Sequence, residues 1–134
     1  MATTIAQLTL TSTDLLSDSL AVSAVATLTG AGNSTGLTHT EGLGRKTLAS
    51  GHAQYTLFDG SDRTADKAHK IYLKNMSTTA AEYFLITVNG EDIGRLYAGD
   101  WAFFPWSAHD ADNDIKIDPS DANMTLEYML FTDD

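Results

Sequence analysis

At 134 residues the chain has the length of one domain, enough to bury a real core and too short for a catalytic domain plus a second module. With no cysteine it forms no disulfide, thiolate nucleophile or cysteine-ligated metal site, and a small domain without such staples leans on an assembly partner for extra stability. A net charge of −10 speaks against wrapping nucleic acid or lying on an anionic membrane, because both demand a basic surface.

The chain begins MATTIAQLTL, without a basic region followed by an apolar core, and no apolar run approaches membrane-spanning length. A soluble protein made in the cytosol and not exported by a signal peptide is expected. The glycosylation sequons at Asn33, Asn75 and Asn123 then read as chance matches in a chain with eighteen threonines. Residues 5–10 and 20–28 alternate apolar with small or polar side chains, as strands with one buried face do. Between them, Ser12 to Asp18 fits one capped helical turn with Asp14 near its start. The glycines of residues 30–36 form a flexible loop whose spacing does not match a dinucleotide fingerprint.

Further strands are expected at 47–50, 54–58, 70–74, 82–88, 93–97, 101–104, 115–117 and 124–131, parted by turn-rich separators such as Asp59-Gly-Ser-Asp62 and Asp118-Pro-Ser-Asp121. Only 61–69 and 78–82 leave room for a short helix. Asn89-Gly90 tolerates the positive φ of a tight type I′ turn, so the runs on either side should pair antiparallel. A two-residue loop would set Ile86 opposite Ile93, and a four-residue loop would set Leu85 opposite Leu96. Pro105 suits a strand end or an edge. The whole indicates an all-β protein, an antiparallel β-sandwich or jelly-roll-like barrel with little helix, formed by residues 1–134 as one domain whose N-terminal residues can extend as an arm.

His39, His52, His69 and His109 are scattered, and none falls in a paired metal motif or beside a nucleophile elbow, so they read as surface histidines. No Ser-His-Asp set assembles without arbitrary choice, and no enzymatic activity is expected. Asp110, Asp112 and Asp114 alternate as in a calcium loop, with Asp121 at the twelfth position. The sixth position is Ile115 rather than glycine and Pro119 interrupts the loop. An acidic inter-strand loop is expected there, with no metal and no cofactor, the alternative being a weak Ca²⁺ or Mg²⁺ site.

Trp101, Phe103, Phe104 and Trp106 form the densest aromatic run. On a strand, Trp101 and Phe103 face one way and Phe104 the other, so the rings do not all enter one core. Either both sets are buried, one in the sandwich and one under a loop, or one set stays exposed and anchors a partner. These four residues are the candidate partner-binding set, with a sugar platform as a further reading. Charge is segregated as well. Residues 100–134 carry nine acids against Lys116, while residues 41–74 carry six bases against four acids. This suits a solvated acidic face, or complementary contact between copies or with a larger partner.

The segment from Leu8 to Leu20 near the start, Lys70-Ile-Tyr-Leu-Lys-Asn75, Ile93-Gly-Arg-Leu96, Ala98-Gly-Asp-Trp-Ala-Phe-Phe-Pro-Trp106 and Leu126-Glu-Tyr-Met-Leu-Phe131 resemble small virion structural proteins of tailed bacteriophages. The resemblance spans most of the chain apart from residues 38–67. It implies a β-rich, non-enzymatic decoration (cement) protein on the outside of a phage head, made in the host cytoplasm and carried on the capsid surface. Its partners would be the major capsid protein and copies of itself as a dimer or trimer, with no nucleic acid and no membrane. The alternatives are a tail or tail-fibre component contacting the host surface, or a carbohydrate-binding module.

Overall fold

The computed structural model describes residues 3–34, 36–37, 39–109 and 113–133. The chain divides into two compact units, Met1–Thr38 and His39–Asp134.

The first unit is a two-stranded antiparallel ribbon, β1 (Ile5–Ser12) and β2 (Leu20–Thr27), with Ile5 opposite Thr27 and Ser12 opposite Leu20. Residues directly opposite one another share a face. Leu8 with Ala24 and Leu10 with Val22 therefore fall on one side of the ribbon, along with Ala6, Ala26 and Leu20. The connection is a run of bends and not the helical turn expected from its residues. Ser12 Oγ accepts from the backbone N–H of Leu15 at 3.1 Å and donates to Asp14 Oδ1 at 3.0 Å, the bond an N-cap makes, but no helical turn follows it. After β2, the Leu28 N–H donates to Thr4 O and the Leu37 N–H donates to Leu28 O.

Among its described residues the second unit holds eight strands: β3 (His39–Leu48), β4 (Tyr55–Phe58), β5 (His69–Asn75), β6 (Tyr83–Val88), β7 (Glu91–Tyr97), β8 (Trp101–Trp106), β9 (Ile115–Pro119) and β10 (Met124–Thr132). They form two four-stranded antiparallel sheets, β3-β10-β5-β8 and β4-β9-β6-β7, packed as a sandwich without barrel closure. Each strand pairs with its mirror in sequence, β3 with β10, β4 with β9, β5 with β8 and β6 with β7. This nested order is jelly-roll connectivity. No α-helix occurs among the described residues, and the one helical element is the 3₁₀ turn Gly60–Asp62, capped by Asp59.

Period-2 patterning builds the core. Along β5, His69, Ile71, Leu73 and Asn75 point inward while Lys70, Tyr72 and Lys74 point outward. Ile71, Leu73, Leu126 and Leu130 of one sheet meet Phe84, Ile86, Ile115 and Ile117 of the other, and all are buried. Each such side chain contributes roughly 1.5–3 kcal/mol through burial. Phe58 stacks at 6.1 Å from Trp106 and meets Tyr128 edge-on at 5.8 Å. Most of β3 lies outside the strand expected at 47–50, because His39-Thr-Glu-Gly-Leu-Gly44 carries turn residues rather than β-formers. Gly44 is there for space: a Cβ would lie 3.0 Å from the Tyr128 ring.

Asn89 and Gly90 take φ of 53° and 77°, as a two-residue I′ turn requires, and pair Val88 with Glu91. A bulge after Thr87–Asp92 then shifts the ladder, setting Ile86 opposite Gly94 and Phe84 opposite Leu96. Neither register expected from the sequence holds beyond the turn. Among the histidines, His69 is buried rather than superficial. Its Nε2–H donates to Thr64 O at 2.9 Å, and its Nδ1 accepts from the Asp133 N–H at 3.3 Å, which fixes the neutral Nε2–H tautomer.

Candidate partner-binding face

The outward face of the β3-β10-β5-β8 sheet is assembled row by row from the strand registers. One row runs Arg45, Glu127, Lys74, Trp101. The next runs Leu43, Met129, Tyr72, Phe103, four apolar or aromatic side chains, one from each strand. Beyond it stand Phe131, Lys70 and Pro105, with Phe131 edge-on to Phe103 at 6.3 Å. An antiparallel sheet with one solvated face is ordinarily polar on that face. Here the middle row is not, and Leu43 and Trp101 are 62 % and 54 % exposed.

A fixed charge cluster borders this row. Glu127 Oε1 accepts from the Tyr72 hydroxyl at 3.0 Å, and Oε2 accepts from Arg45 Nε at 3.0 Å. The hydroxyl first, and Arg45 second, hold the Glu127 carboxyl below the usual carboxylate range. The Tyr72 phenol is pushed up, chiefly by burial and then by its bond to Glu127. The result is a carboxylate clamped against the sheet, its side chain only 12 % exposed, beside an apolar band.

The four aromatic residues singled out from the sequence are divided by this geometry. Trp101 and Phe103 lie on the outward face, whereas Phe104 packs against the core and Trp106, 3 % exposed, belongs to it. Trp106 also donates from Nε1 to Asn113 O at 3.0 Å, so its polar atom is committed to a loop. Trp106 is thus committed to the core, while Phe104 is half-buried and lines a cleft between the sheets. Tyr72, Met129, Leu43 and Phe131 complete the face and were not picked out by sequence reasoning. The signal for two of them was the unbroken apolar run Tyr128-Met-Leu-Phe131, which marks a strand apolar on both faces.

Asp110 and Asp112 lie outside the described residues. Asp114 has a structural duty: its Oδ1 accepts from the Gly60 N–H at 2.9 Å. Among the described residues, no group of three or more histidine or acidic side chains is placed to hold a metal ion, and no helix is long and apolar enough to cross a membrane. A cleft of about 110 Å³ opens between Ile86, Ile93 and Leu96 of one sheet and Ala102 and Phe104 of the other, below the several hundred Å³ that a drug-sized ligand fills. On the second sheet, Arg95 stacks over Tyr83 at 4.3 Å and Tyr83 meets Tyr97 at 5.4 Å. No family model, curated protein or solved structure matches the chain.

Proposed function

We propose that the protein is a non-enzymatic virion component of a tailed bacteriophage, a decoration protein that binds the outside of the capsid in many copies. The observation that supports this most is the row Leu43, Met129, Tyr72, Phe103, which runs from edge to edge across the outward sheet face with Leu43 exposed and the other three half-buried. Contiguous apolar surface rimmed by polar groups is the mark of a protein-binding site. Trp101, Arg45 and Lys74 at its border supply an aromatic anchor and positive charge within an otherwise acidic chain. Jelly rolls recur in viral capsid and lectin domains, an analogy of fold that adds only a modest prior.

The test adds purified protein to shells that lack it, and reads occupancy and resistance to heat. Wild-type protein is expected to saturate equivalent shell positions. Trp101→Ala should reduce apparent affinity about tenfold or more, as truncating a central interface Trp commonly does. Absence of shell binding combined with specific attachment to host cells would overturn the decoration reading in favour of a tail fibre.

A further inference from the structure

The β1–β2 ribbon is built unlike the rest of the chain. Neither strand contains a charged residue, and the only charges before residue 39 are Asp14 and Asp18 in the connection between the strands. Residues 39–134, by contrast, carry sixteen acids against eight bases. One ribbon face is apolar from Ala6–Ala26 through Leu8–Ala24 to Leu10–Val22, and Leu10 is 47 % exposed. A two-stranded ribbon is at best marginally stable in water unless a further layer covers its apolar face.

We propose that this layer is the same ribbon of a second copy, the two apolar faces packing across a two-fold axis. The charge pattern selects this occupant. Two copies that each bear a net −10 repel through most of their surface, and the charge-free strands are where they approach without that penalty. The contact is isologous, with Leu8, Leu10 and Val22 of each copy meeting their counterparts. With eight residues per strand, the face measures about 27 by 10 Å, which places the contact among small, reversible interfaces. This inference rests on the multi-copy part of the proposed function and not on its shell-binding part.

The absence of cysteine from residues 1–134 gives a direct test in the intact chain, because one introduced thiol reacts with a bifunctional reagent only across copies. Facing sheets stand about 10 Å apart, within reach of a short bismaleimide. Ala24→Cys, on the apolar face, should give a covalent dimer, and Ser23→Cys, on the opposite face, should not. Sedimentation of wild-type protein between about 1 and 200 µM should show a reversible dimer, as a contact of this size allows. Leu10→Glu with Val22→Glu should weaken it at least about tenfold, while the near-ultraviolet circular dichroism of the buried Trp106 persists. A wild-type monomer throughout that range, or equal cross-linking of the two cysteine variants, would overturn the proposal. So would an unchanged dimer in the doubly charged variant. Trp101→Ala should leave the dimer intact, so dimerisation without shell binding would sink the shell reading alone.

Discussion

Glu127 shows how one carboxylate is tuned on an outward sheet face. It is easier to ionise in the fold than in the unfolded chain, because the Tyr72 hydroxyl and Arg45 both favour its charged form. Its stabilising contribution is therefore present above the ordinary glutamate value of about 4.3 and is lost as pH falls through the lower folded value. Tyr72 has the opposite sign: its folded pKa is raised, so its contribution is present below about 10 and is lost as pH rises through the raised value. Tyr72→Phe removes the leading cause of the Glu127 shift. The midpoint of the Glu127 carboxyl, followed by carbon NMR against pH, should move up toward the ordinary value. An unmoved midpoint would assign the shift to Arg45 alone.

At the scale of elements, Asn75 is the tie. Its Nδ2 donates to Glu82 O at 3.2 Å and Leu96 O at 2.9 Å, its Oδ1 accepts from the Ser77 N–H, and its backbone pairs with Asp100 O and the Gly99 N–H. One buried side chain thus joins β5, the approach to β6, the end of β7 and the loop before β6. Asn75→Leu leaves two carbonyls and an N–H without their partner, and should cost about 3 kcal/mol in urea unfolding. A loss below about 1 kcal/mol would mean that water replaces the amide. Little of this was legible beforehand. Asn75 stood at the head of a polar separator, and its partners lie on segments that only the folded topology brings near. Strands β1, β2 and those from β4 onward were legible because their patterning and turn residues are local. The first half of β3 was hidden by Gly42, which takes a positive φ, and by Gly44, which leaves room for Tyr128 on a distant strand. The apolar row was hidden for the same reason, since it needs the mutual register of four strands and no single strand encodes that.

For the whole molecule, the core cluster is drawn entirely from residues 48–130, within the second unit. A fragment comprising residues 39–134 should therefore retain one cooperative thermal transition and the near-ultraviolet signature of Trp106. Loss of both would show that the sandwich needs the ribbon to fold. The fragment should also fail to dimerise if the proposed contact between copies lies in the first unit.

The mirrored pairing has a kinetic consequence. Thr40 and Leu130, which share a hydrogen bond, stand 90 positions apart, and joining them directly would mean closing a very long loop. Nesting removes most of that entropy. Once the Asn89-Gly90 turn has paired β6 with β7, the ends of β5 and β8 are already near each other, and each closed pair shortens the loop left for the next. The sandwich can zip outward from its innermost turn, with β3 and β10 the last strands to seal and the first to open.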